Sequence, residues 1–242
     1  MSPVPGPQLS FDPSWRTFAG VQGGLLVGHL LAAATALTGA PPRAVTAHLL
    51  RGVVPGSPVS VSATADRRGT TSSVRAELHQ DGELRVVGQV LTLDRPVGPV
   101  PAEAGPAVSD GEPLALPVEL VPIAQHTEVR ALGADRPLAG GVEPRLQAWV
   151  RLPGLTDPLV HLAAAVDALP PSLFAVWTLP RPLPTVELTA HLTGLVPPAG
   201  AWLRVDQRTT WCDDAVAVGD ARVWTADGRP VARSRQTRRL LG

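Results

Sequence analysis

Three observations predict an α+β fold built from two similar units, each a helix laid on an antiparallel sheet, with the two sheets pairing into one continuous sheet. The tetrapeptide TAHL occurs at Thr46–Leu49 and again at Thr189–Leu192, and its surroundings repeat with it. At the same offset Val53 meets Val196 and Pro55 meets Pro198, whereas the Asp81-Gly82 pair meets Asp227-Gly228 three residues later than that offset requires. Each copy also follows an apolar run with helix formers throughout, and each is followed by runs rich in Val, Thr and Leu separated by turn signals. A duplicated supersecondary unit produces this combination.

The first apolar run, Gly24 to Leu37, is apolar almost all round, which predicts a buried helix ended by Gly39. Four strands are expected after it, AVTAHLLRGVV, PVSVSATADRR, TSSVRAELHQ and ELRVVGQVLTL, divided by Pro-Gly, Arg-Gly and Asp-Gly turns. From about Asp94 to Leu120 the chain turns rich in Pro, Gly, Ala and acidic residues and loses periodicity, as a linker does. Strands then resume with TEVRAL and RLQAWVRL, and DPLVHLAAAVDAL reads as the second helix. VELTAHLTGLV, AWLRVDQRTT, AVAVGDARVW and RPVARSRQTRRL complete the second set of strands. The expected organisation is residues 1–94 as one unit, 95–120 as linker and 121–242 as the other.

The composition excludes several function classes. All 21 basic residues are Arg and are balanced by 21 acidic ones, so no large field points to nucleic acid or to an anionic membrane. The Arg-rich end ARSRQTRR places Arg233 and Arg235 at period 2, the solvated face of a strand. One cysteine, Cys212, excludes an internal disulfide framework, and six dispersed His without paired spacing imply no metal. The beginning MSPVPGPQ lacks the pattern of a signal peptide, and the longest apolar run is short and interrupted by His29, so a cytoplasmic location is expected.

The segment from Phe18 to Gln89, FAGVQGGLLVGHLL through ELRVVGQ, resembles the first hotdog of the acyl-CoA thioesterase II family and its thioesterase-like bacterial relatives. The segments VELTAHLTGLVPPAGAWLRVDQRTTW and TADGRPVARSRQ resemble the second. The resemblance implies a double hotdog fold and an enzyme of lipid metabolism that hydrolyses an acyl thioester, carried by coenzyme A or a carrier protein, without a cofactor. It further implies that an acid, a Thr and a Gln of the second unit hold the attacking water. Matched to the family pattern, these fall on Glu187, Thr210 and Gln236; the family acid is Asp, so Glu187 departs by one methylene. Association into a homo-oligomer is left open.

The residue types suit the chemistry. A carboxylate whose surroundings raise its pKa takes a proton from water, and Thr and Gln hold that water without titrating. Backbone N–H groups at a helix start can meet the oxyanion, and Gly23 and Gly24 open the first helix. By the repeat offsets Glu187 corresponds to Ala44 and Gln236 to Val90, so one asymmetric site is expected. His48 and His191 occupy matching positions and read as packing or hydrogen-bonding residues. Two rival readings stand beside the hydrolase. One is an acyl-thioester-binding accessory protein that lost the chemistry, motivated by the Glu. The other is a hotdog hydratase using Asp157 and His161 around Pro158, although Asp157-Pro158 is also a plain helix start.

Overall fold

The computed structural model describes residues 4–119 and 121–241. Among these, twelve strands form one antiparallel sheet in the order β1-β3-β4-β5-β2-β9-β12-β11-β10-β8-β7-β6. The first unit supplies β1 (Val4–Leu9), α1 (Gly23–Thr38), β2 (Pro42–Leu49), β3 (Val59–Arg67), β4 (Thr71–Gln80) and β5 (Glu83–Leu93). The second supplies β6 (Glu112–Pro113), β7 (Glu128–Leu132), β8 (Arg145–Arg151), α2 (Pro158–Val166), β9 (Thr185–Leu192), β10 (Leu203–Cys212), β11 (Val216–Thr225) and β12 (Pro230–Arg239).

The two TAHL copies meet. Strand β2 pairs with β9 antiparallel, with Thr46 directly opposite Thr189, and the two hydroxyls hydrogen-bond to each other at 3.1 Å. This pairing joins the two half-sheets into one and leaves neither central strand as an open edge.

Alternation decides which side chains face the helices. In β3, Val59, Val61, Ala63 and Ala65 point inward; in β9, Leu188, Ala190 and Leu192 do; in β12, Ala232, Ser234, Gln236 and Arg238 do. Their neighbours form the outer face, where Arg233 and Arg235 are exposed as their spacing predicted. His48 and His191 are exposed on that outer face and their side chains make no hydrogen bond among the described residues, so the packing or hydrogen-bonding role expected of them does not appear there.

The helices cross at close range. A Cβ on Gly28 would stand 2.6 Å from the Val160 Cα, and one on Gly24 would stand 2.4 Å from the Ala163 carbonyl oxygen. Only glycine permits backbones to approach this closely. Gln22, the N-cap of α1, accepts from the Leu25 N–H at 3.1 Å and donates to the Ala164 and Asp167 carbonyls, both at 3.0 Å. The start of α1 is thereby fastened to the end of α2.

Three boundaries differ from expectation. The strand carrying the first TAHL ends at Leu49 rather than near Val54. Helix α2 stops at Val166 instead of running through Leu169, because Asp167 leaves helical geometry as C-cap and Pro170-Pro171 cannot continue the ladder. Strand β1, for which the sequence carries no strand signal, pairs with the edge of β3. Part of the expected linker packs on the outer face: the Trp149 indole donates to the Ala107 carbonyl at 2.9 Å and the Trp224 indole to the Glu103 carboxylate at 3.0 Å.

Candidate active site

Asp167 lies where the end of α2 meets the start of α1. Its Oδ2 accepts the Gly24 N–H at 2.9 Å, and its Oδ1 stands 3.5 Å from Nη2 of Arg238, both side chains being about nine-tenths or more buried. The Gln236 amide lies near this carboxylate and favours its charged form. Gln236 Oε1 in turn accepts from the Thr185 hydroxyl at 3.1 Å, and the Thr185 oxygen accepts from Arg238 Nε at 3.4 Å. The hydrogen bonds form a chain, Gln236 to Thr185 to Arg238 to Asp167, with Gln236 near the carboxylate at its end.

A β-bulge makes the chain possible. Between β12 and β9, Thr237 opposes Glu187 but the next residue, Arg238, opposes Thr185, so Val186 is extra. Strict alternation would put Thr185 on the outer face with Glu187; the inserted residue turns it inward beside Arg238. The first unit has the same irregularity, with Pro42 opposite Thr92 and Ala44 opposite Leu91. There Pro42, Val90 and Thr92 stand where the second unit has Thr185, Gln236 and Arg238, so only one copy carries the polar set.

Burial pushes the Asp167 carboxyl up from its ordinary value, while Arg238, the Gly24 N–H and the Gln236 amide oppose that rise. The same burial lowers Arg238, opposed by Asp167. Both groups line a cavity of about 290 Å³ whose wall is otherwise largely apolar, including Phe18, Leu26, Leu49, Ile123, Leu169 and Phe174. Gly23 and Thr185 line it too. The Gly23 N–H, at the first position of α1, makes no hydrogen bond among the described residues, so it remains available to a ligand.

The expected site residues are divided by this geometry. Gln236 and the Gly23-Gly24 pair meet at Asp167. Glu187 does not: it is on the outer face, accepting from the Thr189 hydroxyl at 2.6 Å and the Thr237 hydroxyl at 3.1 Å. Thr210 is exposed and donates to the Val218 carbonyl at 3.2 Å. The sheet separates both from the cavity, because one residue of strand phase moves a side chain to the other face. Gly24 corrects a further expectation, since its N–H is spent on Asp167 rather than left for an oxyanion.

The residues missed are Asp167, Thr185 and Arg238. A signal for two of them was present: Asp167 is an acid directly after an uncharged helical run and before Pro-Pro, and Arg238 shares the phase of Gln236. Nothing local signalled Thr185, because the bulge is a property of the pairing.

The hydratase pair does not form a site. Asp157 caps α2, accepting the Leu159 and Val160 N–H groups at 2.8 and 3.1 Å. His161 is sealed in the core, and burial lowers its pKa to about 4.

Residues 99–239 match the C-terminal domain of acyl-CoA thioesterases, and residues 11–93 match the N-terminal domain. The chain belongs to the acyl-CoA thioesterase family. Membership makes it a thioester hydrolase. A hot dog fold protein of unknown function from Alicyclobacillus acidocaldarius superposes with a TM-score of 0.84 at 21% identity, covering 97% of this chain and 92% of that one. A candidate thioesterase II from Thermobifida fusca does so with a TM-score of 0.82 at 25% identity and the same coverages, 97% and 92%. The acyl-CoA thioesterase II TesB2 of Mycobacterium marinum gives 0.68 at 17% identity, again with 97% and 92% covered. No curated protein sequence matches it. No helix among the described residues is long and apolar enough to cross a membrane.

Proposed function

We propose that this acyl-CoA thioesterase family member hydrolyses acyl-CoA by general-base attack of water, with Asp167 as the base. The supporting observation is the placement of Asp167: a buried carboxylate, raised in pKa, on the wall of an apolar cavity and beside the free N–H that opens α1. Apolar walls suit the acyl chain. A carboxylate can accept about four hydrogen bonds, and the Gly24 N–H and Arg238 account for two, which leaves room for water. Thr185, on the cavity wall, orients that water, and Gln236 behind it holds the carboxylate in place.

In the attack, a water lone pair forms the C–O bond while its proton passes to Asp167 and the carbonyl π pair moves onto oxygen. The Gly23 N–H and the positive end of α1 favour that negative charge. Collapse re-forms the carbonyl and breaks the C–S bond; Asp167 returns the proton to the departing sulfur. No metal or redox cofactor enters this sequence. The Glu that motivated an accessory, non-catalytic reading is not at the cavity, and an Asp is.

Thiol release from a panel of acyl-CoAs tests this. Asp167→Asn, checked by circular dichroism for folding, should lose roughly 10²-fold to 10⁴-fold in rate. Glu187→Gln should hydrolyse at the wild-type rate. A wild-type rate in Asp167→Asn would overturn the assignment.

A further inference from the structure

We infer that Arg238 is a catalytic residue of the proposed hydrolysis, a charged donor to the oxyanion whose counter-charge passes from Asp167 to the substrate during attack.

The inference rests on the thioesterase reading and begins from an unequal supply of donors. An oxyanion hole ordinarily offers two donors. Helix α1 begins with two N–H groups next to the carboxylate, but Gly24 gives its own to Asp167 Oδ2, and Gly23 alone is left. Arg238 lines the same cavity and reaches the opposite carboxylate oxygen. The two carboxylate oxygens are thus flanked by the helix start on one side and a guanidinium on the other.

Arg238 has donors to spare. A guanidinium carries five N–H bonds. Two are engaged, both long, at 3.5 Å to Asp167 and 3.4 Å to Thr185; Nη1 makes no hydrogen bond among the described residues. A guanidinium in a largely apolar cavity, held by contacts at the limit of hydrogen-bonding distance, is placed for a partner that arrives with the substrate.

Charge accounting explains why that partner is the oxyanion. Before attack, Arg238 faces the Asp167 carboxylate. As the water proton reaches Asp167 that negative charge is neutralised, and one negative charge appears on the carbonyl oxygen. The total is unchanged, so the guanidinium exchanges one anionic partner for another a few ångströms away. Arg238 accelerates the chemical step because its contact to Asp167 is long, at 3.5 Å, while its unused N–H groups can make shorter hydrogen bonds to the oxyanion, so the gain at the new partner exceeds the loss at the old one. The corresponding position of the first unit is Thr92, which is fully buried, and that unit has neither the acid nor the Gln.

The test must separate this role from simple tuning of Asp167, because Arg238 is the charged side chain that acts on that carboxylate. Acyl-CoA hydrolysis is followed against pH for wild type, Arg238→Met and Arg238→Lys, with kcat and KM resolved on the alkaline plateau, where Asp167 is ionised in every variant. The expected result is a plateau kcat lowered roughly 10²-fold to 10³-fold in Arg238→Met with KM little changed. An intermediate value is expected in Arg238→Lys, which keeps the charge without the fork. Arg238→Ala should regain part of its kcat in sub-denaturing guanidinium chloride. Two outcomes overturn the proposal alone: a full plateau kcat with only the acid limb moved, or a raised KM with kcat kept, which would make Arg238 a recognition residue for the acyl group. If Arg238→Met does not fold, Arg238→Lys gives the same kcat and KM split. A wild type that hydrolyses no thioester would remove the functional reading and this role with it, whereas an active wild type with a dead Asp167→Asn keeps that reading whatever Arg238 does.

Discussion

The proposed role of Asp167 as base requires the ionised carboxylate, and its surroundings pull in opposite directions. Burial raises its pKa, while Arg238, the Gly24 N–H and the Gln236 amide favour the charged form, and the balance is a rise. The rate should therefore increase with pH along a limb lying above the ordinary carboxylate range, measured as kcat/KM against pH. His161 gives a stability counterpart. Its folded-state pKa of about 4 is depressed, so between that value and about 6.5 the unfolded chain takes up a proton that the folded chain refuses. Stability should fall as pH drops through this window, by about 3 kcal/mol at its lower end, and His161→Gln should flatten the loss in urea titrations at several pH values. At this scale the residue types of the proposed site are legible, and of Glu187, Thr210 and Gln236 only Gln236 lies on the inner face near Asp167. Glu187 and Asp167 are both acids of the second unit, and choosing between them requires knowing which face each reaches.

The start of α1 serves the site because of how α1 meets α2. Gly24 and Gly28, one turn apart, let the helix backbones touch, and Gln22 bonds the last carbonyls of α2. Asp167 is carried to the positive end of α1 by that contact. Gly28→Ala would place a methyl group 2.6 Å from the Val160 Cα, backbone that has no rotamer to escape into. Despite the better helix propensity of Ala, the variant should lose about 1–3 kcal/mol in denaturant unfolding. The apolar runs made both helices legible, yet the end of α2 was read three residues late. That error hid Asp167 inside an apparent helix, whereas the Pro170-Pro171 pair was the cue for an earlier stop.

The molecule as a whole is one sheet, and the site draws on both of its units. Gly23 and Gly24 come from the first; Asp167, Thr185, Gln236 and Arg238 come from the second. The shared β2–β9 pairing and the crossed helices should make the units unfold together. Tryptophan fluorescence tests this, because five of the six Trp, all except Trp15, lie in the second unit, whereas far-ultraviolet circular dichroism reports both. The two signals should change at the same denaturant concentration; separate midpoints would mean that the units are independent. Thr46 opposite Thr189 places the repeat at the seam, a position that offsets along the chain do not reveal.

The sequence by itself determined the duplicated α+β architecture, because hydrophobic period and turn chemistry are local and were written twice. The resemblance to the thioesterase II family implied an acid, a Thr and a Gln of the second copy. Only the tertiary structure decided which acid and which Thr reach the cavity, since a single bulge between β9 and β12 reverses the face of Thr185, and a close helix crossing brings Asp167 to Gly24. Face and proximity are set by the pairing of segments distant in the chain, and no window of neighbouring residues encodes them.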